Sequence, residues 1–340
     1  MTSAAVAVQY RNRYPRPGQV AVLCEGDLAG YEADLLAKWT ARGKVFVDVW
    51  PCGTRTALLG IADAIGRAVP IVVIEDRDFR IPKEAEKACK KAAQSRKSRG
   101  VSVLDWRTWV RHEIENYLIE PDVVAPPLAA AFGASEDDVR DAMDHVIRGS
   151  GAAQAARWAL SEFHDGLPDP VHFSGDPQRN LPQFTWDDPA HDFRAPDPQA
   201  LSAGVRKTLE QHVGLFSEKA KDLAVESILG GFEERLASWS KETLQGNAWR
   251  VEWGGKEVLR LLYRVLAARW GWPVVDGGKE RVPWNALAER RLDGSWDRWI
   301  EHTLQRDVVT SFLEFVTVER DKAILKEWNE LLALIVEAPR

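Results

Sequence analysis

Hydrophobic positions near the start of the chain fall into two alternating rhythms. Short, nearly unbroken apolar runs, "QVAVLCEG" from Gln19, "KVFVDVWP" from Lys44 and "PIVVIEDRD" from Pro70, read as buried strands. Between them, Tyr31–Arg42 and Arg55–Ala68 place apolar residues three and four apart, the period of a helix with one face in a core. Strands alternating with helices predict right-handed crossovers and a mostly parallel sheet, hence an α/β, Rossmann-like domain. "VSVLDW" then predicts a fourth strand and Trp109–Ile119 a further helix.

Beyond Pro121 the rhythm changes. Leu167–Pro198 is rich in Pro, Asp and His with little periodicity, which predicts a loop-like insertion, and its His172 and His191 lack metal-ligand spacing. From Leu201 helical spacing dominates: Val258, Leu261, Leu262, Val265 and Leu266 mark one buried face, and Arg306–Val336 reads as a long terminal helical run. Three parts are expected: an α/β domain over residues 1–125, a helical and loop insertion over 126–200, and a mainly α-helical region over 201–340. Most tryptophans lie in that last part. Trp249, Trp253, Trp270, Trp272, Trp284, Trp296 and Trp299 are expected as core and interface anchors rather than base-stacking platforms.

Charge refines this picture. A formal net charge of -6 argues against a protein that coats nucleic acid by bulk charge, but not against one with a local basic groove. Such a stretch exists: from Arg77 to Gly100, nine Lys or Arg stand against three Asp or Glu. The three cysteines, Cys24, Cys52 and Cys89, form no CxxC pair, so neither a disulfide framework nor a structural zinc site is expected. No uncharged apolar run reaches the ~18 residues of a membrane span, and the N-terminal apolar run is too short for a signal peptide. A soluble, cytoplasmic protein is expected.

The chemistry concentrates where strands end. Glu25 closes the first strand, and Glu75, Asp76 and Asp78 crowd the end of the third. In an open parallel sheet, ligands bind beyond the carboxyl ends of the strands, so these acids reach one edge. Carboxylates so close repel unless water, basic side chains or a cation separates them. An extended Asp-x-Asp would point Asp76 and Asp78 to the same side, which suits a hard divalent cation such as Mg²⁺. Gly26 would admit a phosphate or a metal-bound water. Glu113, Glu115 and Glu120 form a second acidic group after the fourth strand. A solvated turn is the plainer alternative.

"VLCEG", a strand-helix-strand unit and "VIEDRD" together resemble the TOPRIM domain of topoisomerases, primases and recombination nucleases. "HEIENYLIEP" and "GGKEVLRLLYRVL" narrow the likeness to the stand-alone TOPRIM nucleases related to the OLD (overcoming lysogenisation defect) proteins, a group that includes the effector nuclease of the PARIS anti-phage system. The resemblance implies a Mg²⁺- or Mn²⁺-dependent endonuclease acting on DNA or tRNA, a homodimer, in defence under the control of an ABC- or AAA-type ATPase partner. It makes Glu25 the metal-binding and acid/base glutamate, Asp76, Asp78 and Glu115 metal ligands, and Lys256 the lysine that neutralises charge at phosphate. Ala29 stands where the usual Glu-Gly-x-x-Asp spacing has its second acid, so Asp27 or Glu32, with Glu113, is a substitute ligand. Arg80, Lys83, Lys87, Lys90, Lys91, Arg96 and Lys97 would hold the nucleic-acid backbone.

Two rival readings remain open. A regulatory TOPRIM subunit could use its helical half to dock on a partner in a defence complex. A nucleotide site of Rossmann type lacks the glycine-rich loop that should follow the first strand. "RVEWGGKE" is no P-loop, having neither the first Gly of GxxxxGK nor a Ser or Thr after the Lys. Tyr31 and Tyr117 lie near the motifs, but topoisomerase-like chemistry would need a strand-passage domain.

Overall fold

A computed structural model describes residues 14–16, 18–26, 31–42, 44–78, 80–165, 181, 185–186, 193–194, 196–215, 225–271, 305–318, 322 and 325–337. The chain divides into two compact units, Met1–Leu118 with Gln305–Arg340, and Ile119–Leu304. These borders differ from the breaks expected near 125 and 200, because the last helices return to the α/β unit.

The first unit is built on a four-stranded, all-parallel sheet. Its strands β1 (Ala21–Cys24), β2 (Asp48–Pro51), β3 (Ile71–Glu75) and β4 (Val103–Thr108) lie in the order β2-β1-β3-β4. Cys24 aligns with Pro51 on one side and Ile74 on the other. The crossovers are α1 (Tyr31–Arg42), α2 (Arg55–Ile65) and α3 (Pro82–Lys97). The right-handed rule puts α1 on one face and α2 with α3 on the other. On the latter face Leu23, Trp50, Ile71 and Val73 bury Leu58, Ala62, Ile65 and Cys89.

Helix α3 shows how its sequence chooses a side. Ala85, Cys89 and Arg96 are buried, whereas Lys83, Lys87, Lys90, Lys91 and Lys97, at helical spacing on the opposite side, are exposed.

Two expected helices take a different form. The run Arg306–Val336 is two helices, α11 (Gln305–Val318) and α12 (Lys326–Val336). Trp328 of α12 sits in an aromatic cluster with Trp39 of α1, Trp109, Tyr117 and Phe312, with ring centroids 4.8 to 5.5 Å away. Arg42, at the end of α1, donates to the Leu313 carbonyl and to Thr317 Oγ1. The helix expected over Trp109–Ile119 shrinks to α4, Glu115–Leu118. Tertiary partners claim the backbone before it: Trp109 N donates to Glu75 O, Val110 N to Glu327, and His112 O accepts from Asp78 N. Groups spent this way cannot close an intrahelical ladder.

In the second unit, α6 (Glu136–Asp165) packs against α5 (Pro121–Phe132), α7 (Pro198–Leu215), α8 (Val225–Trp239) and α10 (Gly255–Trp270); the short α9 (Ala248–Val251) precedes α10. Trp249 and Trp253 are fully buried and Trp270 is half-buried, whereas Trp272, Trp284, Trp296 and Trp299 lie outside the described residues. Of the expected insertion Leu167–Pro198, two short antiparallel strands are described, β5 (Thr185–Trp186) and β6 (Phe193–Arg194); His172 and His191 lie outside the described residues. Among the described residues no helix is long and apolar enough to cross a membrane.

The α6–α8 contact turns on Gly151. A Cβ there would meet the backbone oxygen of Trp239 at 2.1 Å, and backbone cannot swing aside. Gly151→Ala is expected to lower stability by about 1–3 kcal/mol. Gly230→Ala on α8 would meet nothing within 4 Å and is expected to raise it by about 0.5–1 kcal/mol. Urea denaturation of the two variants checks the contrast.

Candidate functional site

Between β1 and β3 the chain's connections part. From β1 the chain crosses to β2 at one edge, and from β3 to β4 at the other, so a crevice opens beyond the carboxyl ends of these two central strands. Glu25 and Gly26 leave β1 there, and Glu75 and Asp76 leave β3. The acids do share one edge.

Glu75 is answered by the protein itself. Only 2% exposed, its Oε2 accepts from Arg55 Nε at 2.9 Å and Arg80 Nη1 at 3.1 Å, while Oε1 accepts from Trp106 Nε1 at 2.5 Å. Arg80 also donates from Nε to the Arg77 carbonyl at 2.9 Å and from Nη2 to that of Asp76. Arg77, fully buried, returns a bond from Nη1 to the Arg80 carbonyl at 2.8 Å. The turn after β3 is thus closed by guanidinium groups. Arg80, expected to grip a nucleic-acid backbone, is turned inward. Arg96 is as well: buried, it pairs with Asp63 at 3.2 Å and covers the Trp106 ring at 4.5 Å.

The Asp-x-Asp geometry also needs correction. The strand stops at Glu75, and Asp78 has φ of 50°, a left-handed conformation that Asp tolerates better than most residues. Strand alternation therefore does not align the two carboxylates. Asp76 is buried and Asp78 exposed, yet the charge of Asp78 reaches Glu25.

Glu25 has the opposite circumstances to Glu75. Its Oε1 is buried with no hydrogen-bond partner. Burial first, then the charges of Asp78 and Glu75, push its pKa up to about 7, against the weaker pull of Arg80 and Arg55. Beneath it, burial raises the Cys24 thiol, and Glu32, Cys52, Asp76 and Glu25 itself add to the rise. Five acids, Glu25, Glu32, Glu75, Asp76 and Asp78, thus act on this strand end.

Glu32 is one of the two acids weighed as a substitute for the one missing at Ala29. Buried in the first turn of α1, it lies against Gly26, whose φ is 100° and where a Cβ would meet Glu32 Oε2 at 2.8 Å. A glycine suits this left-handed conformation, while the Glu32 carboxylate, the end of a flexible side chain, could swing aside. Asp27 lies outside the described residues. Next to Glu32, Tyr31 donates its hydroxyl to Glu115 Oε1. Burial raises the Tyr31 pKa well above the usual phenol range, with the charges of Glu115, Glu32 and Glu113 adding. Glu113 and Glu115 are both buried, and the Glu113 amide donates to Asn116 Oδ1 at 3.0 Å.

All-oxygen donors, one of them a buried atom lacking a partner, suit a hard divalent cation in chemistry. As placed, however, no three His, Cys, Asp or Glu side chains among the described residues stand close enough to hold a metal ion. Glu75 is committed to arginines and Glu115 accepts from Tyr31. Lys256 belongs to the second unit, exposed at the second position of α10. Its neighbour Glu257 pairs with Arg157 and accepts from Gln154 at 3.0 Å. Glu120 also belongs to the second unit, facing Arg250 at 3.4 Å.

Sequence reasoning missed Arg55 and Trp106 as partners of Glu75. A buried acid at a strand end demands donors, but neither residue carries a local mark identifying it. Arg80→Ala leaves Glu75 short of one partner and is expected to cost about 3–5 kcal/mol, whereas Lys83→Ala and Lys87→Ala on the exposed face should stay within about 0.5 kcal/mol. Chemical denaturation checks this.

Glu25 predicts a pH dependence of unusual sign. Its folded pKa lies above the unfolded value of about 4.5, so the folded state binds more protons between pH 4.5 and 7 and stability falls as pH rises through that window. The loss approaches roughly 3 kcal/mol above pH 7. Thermal unfolding of the metal-free chain should show it, and Glu25→Gln should remove that slope, being more stable than wild type at pH 8 and similar at pH 4.

Comparison with protein-family models, with curated proteins and with solved structures finds no match to this chain.

Proposed function

We propose that the chain is a TOPRIM-type nuclease dependent on Mg²⁺ or Mn²⁺, hydrolysing phosphodiester bonds in DNA or tRNA as an anti-phage effector under a partner ATPase. The observation that carries this reading is Glu25: a carboxylate at the β1/β3 crevice, its Oε1 buried without a partner and surrounded by other acids, while the nearby arginines are spent on Glu75. Glu25, Asp76, Asp78 and Glu32 are the residues that would hold a cation, with Glu115, which accepts from the Tyr31 hydroxyl, as a further ligand. Such an ion supplies a Lewis acid and an activated water.

The chain's own groups have fitting roles. A carboxylate poised near pH 7 is suited to move a proton at neutral pH. Lys83, Lys87, Lys90, Lys91 and Lys97 give α3 a basic face for a phosphate backbone. Lys256, exposed near the start of α10 in the second unit, is the lysine that the resemblance assigns to phosphate. A homodimer and a cytoplasmic site of action belong to the same reading.

One observation favours a second reading, a docking or regulatory subunit: Glu75 and Glu115 already have protein donors. The two readings part in one experiment. Wild type, Glu25→Ala and Asp76→Asn are incubated with labelled DNA and total tRNA in Mg²⁺, Mn²⁺ and EDTA. Cleavage by wild type is expected, lost in EDTA and reduced at least about a hundredfold in either variant. Reversing Lys83, Lys87 and Lys90 to Glu should weaken nucleic-acid binding and flatten its salt dependence. No cleavage together with no calorimetric Mg²⁺ or Mn²⁺ binding would sink the nuclease and leave the docking subunit.

A further inference from the structure

Glu327, in the first turn of α12, is a half-buried carboxylate with no part in the chemistry above. Its Oε1 accepts from the Val110 amide at 2.8 Å and its Oε2 from the Tyr117 hydroxyl. Burial raises its pKa against these two hydrogen bonds, and raises that of Tyr117 as well. Val110 and Tyr117 bracket the segment, ending in α4, that carries Glu113 and Glu115, and whose His112 carbonyl receives the Asp78 amide at 2.9 Å. One carboxylate therefore ties both ends of the acid-bearing segment.

The next residue reaches α1. Trp328 stacks on Trp109 at 4.8 Å with 23° between the planes, and meets the Trp39 ring edge-on at 5.0 Å. Trp39 belongs to α1, the helix whose first turn supplies Tyr31 and Glu32. Two consecutive residues of α12 thus hold the elements on both sides of the Tyr31–Glu115 hydrogen bond.

We propose that Glu327 is a positioning residue: by fixing Val110 and Tyr117 it sets the 110–118 segment so that Glu113 and Glu115 face Tyr31 and Glu32 at the sheet edge. The functional meaning of that placement rests on the metal reading above. Its geometry does not.

The test uses the full chain carrying tyrosine labelled with ¹³C at Cζ, one of five tyrosines being Tyr31, whose signal is assigned with Tyr31→Phe. Glu327→Gln and Tyr117→Phe each remove part of the tie. In both, well below the unfolding temperature, the Tyr31 signal is expected to move as the contact with Glu115 is lost. Gly151→Ala, a destabilising change in the other unit, should leave it in place, which separates positioning from general loss of stability. Mn²⁺ affinity should fall about tenfold in Glu327→Gln and no further when Glu115→Gln is already present.

An unmoved Tyr31 signal in folded Glu327→Gln overturns the proposal whatever the metal data show. Should that variant not fold, Tyr117→Phe decides by the same signal. Wild type that binds no Mn²⁺ removes the metal reading and leaves the positioning to be judged by Tyr31 alone.

Discussion

The buried ion pair of Glu75 with Arg55 and Arg80 is the constraint on which the sheet's carboxyl edge depends. A carboxylate at the end of a central strand is expensive to strip of water, and only close donors on every side make it tolerable. Here the donors come from three places, the start of α2, the turn after β3 and, through the Trp106 indole, β4. The pair therefore does more than neutralise one charge. It closes the 76–80 turn, sets where Asp76 and Asp78 leave the strand, and joins a crossover helix to an edge strand. It also engages the two guanidinium groups near Glu25, whose pull on that carboxylate is outweighed by burial and by the charges of Asp78 and Glu75.

What the sequence made legible follows from how local each feature is. Tyr31–Arg42 appears as a helix with the expected bounds because its apolar spacing alone specifies the buried face. The parallel sheet follows from alternation of short strands with helices, and the shared acidic edge follows from the direction of those strands. Glu32 was one of the candidates for the position that Ala29 leaves unfilled, and it lies against Gly26.

Features set by distant partners were not legible. Arg80 and Arg96 sit in a basic run and look like Lys83 or Lys87, yet the guanidinium's several donors suit buried carbonyls and carboxylates while the lysines stay in water. Residues 109–114 have the composition of a helix, but their backbone groups are taken by Glu75, Asp78 and Glu327. Asp78 departs from the strand because that strand ends three residues earlier, which no property of Asp-Arg-Asp announces. The return of α11 and α12 to the first unit depends on Trp328 finding Trp39 and Trp109, residues far away in the sequence.

That return imposes an order on synthesis. A ribosome adding roughly 5–20 residues per second makes the four strands first, then all of Ile119–Leu304, and only then the helices that complete the first unit. For a time on the order of ten seconds or more the nascent sheet exists without α11 and α12, and the segment bearing Glu113 and Glu115 has no Glu327 to hold it. Its acidic edge is finished only with the last helix, so an incomplete polypeptide, stalled or truncated in translation, carries the acids without the brace that arranges them.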